Sequence, residues 1–289
     1  MSFAQAQEPE VLQRVATPFL RWVGGKTWLL REIEQFLPEQ VGNYYEPFLG
    51  GAAIFFHLKQ SGKLHGKTVL SDINKELTDC FQQVRDDVES VIEYLGTYRN
   101  EEEFYYEMRN LVPQSPQEKA ARFIYLNRTS FNGVYRVNLK GEYNVPYGYK
   151  PYKELFDFDN LRQASRLLST AEIVCQDFEH SLKSAKTGDL VFLDPPYTVA
   201  HENNGFIKYN QKLFAWQDQL RLAKTIETIS NKGVEYILTN AAHQNIKNLF
   251  GRFGRPQELR RYSVIGGKNA KRGLKSEYVF SSHVRREPS

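Results

Sequence analysis

The 289-residue chain has only two cysteines, Cys80 and Cys175. They lie far apart and in no C-x-x-C spacing, which excludes a disulfide framework and a thiolate zinc site and makes a reducing cytoplasm the expected setting. No run approaches the roughly 18 consecutive apolar residues of a membrane span. The opening MSFAQAQEPE carries an acidic pair and no apolar core, so no secretory signal is expected. Internal repeats and low-complexity segments are also lacking. Neither sign of charge dominates: the net charge is +4, with 41% hydrophobic and 25% charged residues, the balance of an ordinary globular protein. Acidic residues are missing from residues 260–275, which hold six basic ones. Residues 127–153 are also basic-biased and rich in Asn, Tyr and Gly. Both suit a phosphate-tracking surface, although on charge alone a solvated face explains them equally well.

What is present is a series of short apolar runs ending in polar residues. Residues 42–58 read as a strand, a glycine turn and a helix. Residues 67–72 form a second strand ending in Asp72. The runs 171–178, 188–197 and 235–241 follow, with a helical pattern over 214–229. Strands alternating with helices predict an α/β fold on a parallel sheet, whose ligands bind beyond the carboxyl ends of the strands. Residues 75–156 break this rhythm. They begin with a helical pattern over 75–99, and VYRVNLKGEYNVPY at 134–147 alternates, turns at Lys140-Gly141 and alternates again, as a β-hairpin does. The expected organisation is a core in two parts, 1–74 and 157–289, with an inserted, mainly helical recognition domain over 75–156.

The strongest chemical signal is Asp194-Pro195-Pro196-Tyr197 after the apolar strand of residues 190–193. Two prolines continue neither a ladder nor a helix; they hold the backbone extended and keep competing amide donors away from their carbonyls. A carboxylate, fixed carbonyls and an aromatic ring are thereby presented together. An exocyclic base amine is a poor nucleophile because its lone pair is delocalised, and accepting its two N–H groups favours a more tetrahedral nitrogen. Gly50 and Gly51, between strand and helix, let the backbone approach a ligand closely. Asp72 ends the next strand about twenty residues on, where a carboxylate accepts from ribose hydroxyls. Arg136 in the hairpin suits bidentate bonding to guanine O6 and N7. Arg128, Asn138 and Lys140 are assigned to phosphates, which position without specifying.

These motifs, with FLRWVGGK at 19–26, EPFLGGAA at 46–53, YLNRTSFNGVYRVN at 125–138, YNVPYG at 143–148 and QDF at 176–178, occur in an order that resembles the α-group, D12 class, Dam-type DNA adenine N6-methyltransferases. The resemblance covers most of the chain. It implies a Rossmann-like core that uses S-adenosylmethionine, yields S-adenosylhomocysteine and needs no metal. It also implies double-stranded DNA as partner and GATC as target, with action in the cytoplasm expected as a monomer or as a dimer on DNA. Asp194, Pro195, Pro196 and Tyr197 become the catalytic set. Trp22, Lys26, Glu46, Phe48, Gly50, Gly51, Asp72, Asp177, Phe178 and Asp194 become cofactor contacts. Phe131 and Asn132 match the pair that enters the opened duplex, and Arg136 the reader of the first guanine. Lys26 is expected to meet the cofactor's carboxylate or to organise nearby acidic groups. Ala52 departs from the family, whose members often carry a third glycine there.

Other classes are weaker. The GGKT of residues 24–27 resembles a P-loop tail, but the position of the first Walker glycine is Leu20. A DNA-binding protein with an inactive core is disfavoured by the intact DPPY run. Cytosine-N4 transfer is disfavoured because such enzymes often carry Ser at the position of Asp194.

Overall fold

In the computed structural model, which describes residues 15–138, 140–198, 214–262 and 274–283, each of these apolar runs becomes a strand. Strands β1 (Tyr44–Glu46), β2 (Thr68–Asp72), β3 (Ala171–Cys175), β4 (Leu190–Leu193) and β5 (Glu235–Ala241) pair in parallel. Two further strands, β6 (Gln257–Tyr262) and β7 (Leu274–Ser281), close one side, β7 antiparallel to β5 and β6 antiparallel to β7. The order across the sheet is β3-β2-β1-β4-β5-β7-β6. Direction of winding reverses between β1 and β4, which opens a crevice at their carboxyl ends. Most of the basic stretch 260–275 lies outside the described residues.

All four residues of β4 are buried, because both faces of the sheet are covered. Alternation sends Leu190 and Phe192 into one apolar cluster and Val191 and Leu193 into the other. The first cluster is covered by helices α1 (Ala53–Gln60), α2 (Lys75–Asp86), α3 (Val88–Gly96), α4 (Glu102–Asn110), α5 (Pro116–Thr129) and α6 (Phe158–Leu168), whose buried side chains include Phe55, Phe81, Val91, Tyr105, Tyr125 and Leu161. Against the second lie α7 (Phe178–Ser181), α8 (Trp216–Asn231) and α9 (Gln244–Phe250). The helical pattern over 75–99 is split at Asp87. Its amide closes α2 on Gln83, and its carboxylate caps α3 by accepting from the Ser90 amide at 3.4 Å.

The expected hairpin is present in reduced form. One antiparallel bridge, Val137 with Tyr143, holds its arms, and a second joins Ser130 to Tyr147. Asn138 builds the turn: its side-chain Oδ1 accepts from the Lys140 amide at 2.9 Å and the Glu142 amide at 3.0 Å. Gly141, with φ of +80°, supplies the left-handed step.

Buried Asn127 in α5 ties the segment before β1 to this region. Its side chain accepts from the Arg21 amide at 2.7 Å and donates to the Arg21 carbonyl at 2.9 Å and the Gly133 carbonyl at 3.1 Å. Replacing it strands three backbone groups, two of half-buried Arg21 and one of buried Gly133. Asn127→Ala is expected to cost about 2–4 kcal/mol, a large loss for one side chain, read as a lowered urea midpoint at unchanged slope. An unchanged midpoint would show that these groups find other partners.

Candidate active site

Strand alternation gathers the polar residues of the crevice. Glu46 shares a face with Tyr44, Asp194 continues the face of Leu190 and Phe192, and Thr239 that of Ile237. The antiparallel β7 brings Glu277 to the same end, opposite Ala241. Lys26, only 4% exposed, arrives from the GGKT turn. Its Nζ lies 2.7 Å from Asp194 Oδ1 and 2.8 Å from Oδ2, donates to the Gly24 carbonyl at 2.6 Å, and stands 3.7 Å from Glu277 Oε2. Of the two roles expected of this lysine, the geometry displays the organising of acidic groups.

Asp194 also accepts from the Thr239 hydroxyl at 2.7 Å. Burial pushes its carboxyl up, and Lys26 offsets part of that, leaving it above the ordinary value. Glu277 is pushed up by burial too, but Lys26, Arg261 and the Tyr197 hydroxyl outweigh this and hold it below the ordinary value. Tyr197 donates to Glu277 Oε2 at 2.5 Å, and Arg261 Nε donates to Oε1 of the same carboxylate. Burial together with Glu277 and Asp194 raises the Tyr197 phenol far above its ordinary range. Thr239, Arg261 and Glu277 were missed in the sequence. No motif marks them: Glu277 stands in a strand that also carries Lys275 and Ser276, and Arg261 lies within a basic stretch.

Before Asp194 opens a cavity of about 650 Å3, within the range of small-molecule sites. One wall is Trp22, Phe48, Gly50, Gly51 and Ala52; another is Phe131 and Asn132 from the hairpin region. Trp22 stacks on Tyr135 at 5.7 Å and lies over Gly50, where a Cβ would come within 2.9 Å of its Cδ1. Gly50 has φ of +48°, so both the turn and the close approach require glycine there. Ala52, which stands where family members often carry a third glycine, adds a methyl group to this wall. The structure adds a backbone cost: Ala52 is itself left-handed, with φ of +56°, worth roughly 1–2 kcal/mol for a residue with a Cβ.

Asp72 receives the Asn74 amide at 2.9 Å and the Gly50 amide at 3.5 Å; burial nevertheless raises its carboxyl to about 6. Phe48 stacks on Phe178 at 5.5 Å, and Asp177 is held by Arg221 at 3.0 Å. Phe48 lines the cavity, whereas Asp72, Asp177 and Phe178 lie outside its lining, along the same carboxyl edge of the sheet. A glycine turn, buried carboxylates and aromatic rings at a switch point fit a nucleoside-containing cofactor.

Phe131 is 47% exposed, and Asn132 holds a left-handed φ of +58°. Arg136 is exposed and bonds Asn144 Oδ1 at 2.8 Å. Lys140 is exposed. Arg128 points elsewhere: its Nε donates to the Leu155 carbonyl at 2.8 Å and its guanidinium covers the Tyr152 ring at 4.3 Å. The side chain of Asn138 is turned into its own loop.

The sheet order, the glycine turn and the cavity at the switch point are those of a Rossmann-like methyltransferase core. Residues 22–264 match the family described as D12 class N6 adenine-specific DNA methyltransferase, and the chain belongs to that family. It is 34% identical over 276 residues to Type II methyltransferase M1.LlaDCHI of Lactococcus lactis subsp. cremoris, covering 92% of this chain and 95% of that one. It is 39% identical over 243 residues to Type II methyltransferase M.MjaIII of Methanocaldococcus jannaschii, covering 78% and 84%. Similarity to the DNA adenine methylase of Haemophilus influenzae is 31% over 245 residues, covering 82% of each. No helix among the described residues is long and apolar enough to cross a membrane.

Glu46 yields a test of the site's electrostatics. Burial, helped by Asp194, lifts its carboxyl to about 8, against the lowering hydrogen bond from the Tyr44 hydroxyl at 2.8 Å. The folded state therefore keeps a proton that the unfolded state loses near 4.5, so this group costs stability increasingly as pH rises from about 4.5 to about 8. Glu46→Gln keeps an acceptor for Tyr44 and removes the titration. Its stability relative to wild type is expected to rise across that window by on the order of 3 kcal/mol, measured by denaturation at pH 5 and pH 8. Parallel curves for the two proteins would contradict the assignment.

Proposed function

We propose that this adenine-specific DNA methyltransferase acts on N6 of an adenine rotated out of duplex DNA within the site GATC. The observation that carries this reading is Asp194, fixed by Lys26 and Thr239 on the wall of one cavity that runs from the glycine turn to Phe131 and Asn132. Base rotation is required because N6 is out of reach inside the stack. When bound, S-adenosylmethionine supplies an electrophilic methyl group that adenine N6 takes in a single displacement, leaving S-adenosylhomocysteine. Trp22, Lys26, Glu46, Phe48, Gly50, Gly51, Asp72, Asp177 and Phe178 hold that cofactor, with Asp72 suited to its ribose.

Asp194 and the Pro195 carbonyl accept the two N–H groups of the amine, Pro196 keeps this backbone extended, and Tyr197 stacks on the base. An ionised carboxylate has about four lone-pair sites, and the bonds from Lys26 and Thr239 leave capacity on Oδ2 for the amine. Asp194 need not be a strong base, since the product ammonium is acidic and loses its proton late. Positioning and a dry, charge-matched pocket supply most of the acceleration. Residues 75–156 act as the recognition part. Phe131 and Asn132 enter the opened duplex, Arg136 reads guanine after releasing Asn144, and Lys140, with Arg128 and Asn138, steadies the phosphates.

Asp194→Ala is expected to abolish transfer of labelled methyl to duplex DNA while leaving the protein folded, as read by the circular dichroism spectrum; retained turnover would sink the assignment. For the target site, a plasmid methylated to saturation should resist a methylation-sensitive nuclease that cuts at GATC. Complete cutting despite full incorporation would exclude that specificity.

A further inference from the structure

Glu277 belongs to none of the motifs that identify the family, yet it sits at the centre of the charged groups around Asp194. Its side chain is 3% exposed. One carboxylate oxygen takes the Tyr197 hydroxyl at 2.5 Å and faces Lys26 Nζ at 3.7 Å; the other is held by Arg261. Two cations and two carboxylates, Lys26 and Arg261 with Asp194 and Glu277, balance. The Tyr197 ring, with Lys26 Nζ 5.2 Å from its centroid, follows a pair of prolines and lies outside the strand ladder.

We propose that Glu277 is a positioning residue for methyl transfer: by holding the Tyr197 hydroxyl it fixes the ring on which the target adenine stacks. The inference rests on the stacking role given to Tyr197 above. The hydroxyl is the atom of the side chain farthest from the backbone, so anchoring it fixes the direction in which the ring extends, while Lys26 Nζ bears on the ring 5.2 Å from its centroid. A charge-assisted bond to a carboxylate is roughly twice as strong as a neutral one. Both partners stay in the protonation states this bond needs, because Glu277 is held below its ordinary value and the Tyr197 phenol far above its own. Arg261 on the opposite oxygen keeps the carboxylate aimed. Small displacements of a reacting base are costly, since about 1 Å can cost roughly 100-fold in rate.

A purely structural role, as counter-ion to Arg261 and Lys26, is separated by a double-mutant cycle. Single-turnover methylation of duplex DNA by cofactor-saturated full-length protein is measured for wild type, Glu277→Gln, Glu277→Ala, Tyr197→Phe and the combinations with Tyr197→Phe. Tyr197→Phe and Glu277→Ala are each expected to slow transfer by about tenfold or more, the factor that accompanies loss of one modest transition-state contact. Glu277→Gln, which retains an acceptor, should fall between wild type and Glu277→Ala. In the Tyr197→Phe background both Glu277 substitutions should add little, and the dissociation constant of S-adenosylmethionine should stay unchanged. Wild-type rates in the Glu277 variants, or losses that multiply in the combinations, would overturn the inference. If Glu277→Ala fails to fold, the Gln series with Tyr197→Phe gives the same cycle. Tyr197→Ala at the wild-type rate would instead remove the stacking reading. Tyr197→Ala inactive beside fully active Glu277→Ala would remove only the role of Glu277.

Discussion

The bond between Lys26 and Asp194 spans 168 positions of the chain and pins the segment before β1 onto the end of β4. Much else follows from it. An aspartate at a crowded strand end is costly to ionise, and a nearly buried lysine is costly to leave unpaired. Together they are tolerable, and the GGKT turn must then fold back over the crevice to bring Nζ within reach. Gly24, with φ of +86°, makes that return, and its carbonyl takes a further hydrogen bond from the lysine. Trp22, two residues before Gly24, is thereby laid over Gly50, and the cavity acquires a roof.

The crevice also concentrates negative charge. Glu46, Asp72, Asp194 and Glu277 come from four different strands, whereas the cations turned toward them are Lys26 and Arg261. Burial pushes carboxyls upward here, Glu46 to about 8, with Asp194 adding to the rise, and Asp72 to about 6. A cofactor bearing a sulfonium and an ammonium group suits such a site, because it brings positive charge where the protein alone has too little. The same arithmetic explains why Glu277, which touches both cations, is held down while its neighbours rise.

The local signals were legible because the chemistry they report is local. Asp194-Pro195-Pro196-Tyr197 follows a buried strand directly, Gly50 occupies the left-handed turn that only a residue without a Cβ accepts easily, and Asp72 ends its strand. The hairpin was readable from alternation and from Gly141, but alternation says nothing of how many bridges form, and one holds its arms. The break at Asp87 escaped notice because the apolar pattern runs through it; only its capping bond shows that two helices meet there. Residue type suggested phosphate contacts for Arg128 and Asn138 but said nothing of the partners they take within the chain, a carbonyl and an aromatic ring for one and a turn for the other. Which partner a polar side chain takes depends on what folding brings near it.

By itself the sequence determined the strand ends, the order of the motifs and hence the chemistry that gathers at the carboxyl edge of the sheet. Tertiary structure alone decided how that chemistry is held. The side-chain period of two placed Glu46, Asp194, Thr239 and Glu277 on one face, but their meeting required the pairing of β1 with β4, β4 with β5 and β5 with β7. The direction of Lys26 and the partner of Tyr197 were set in the same way. An ion pair or a hydrogen bond acts over a few ångströms of space, and positions far apart along a chain become near only after the sheet has set its register.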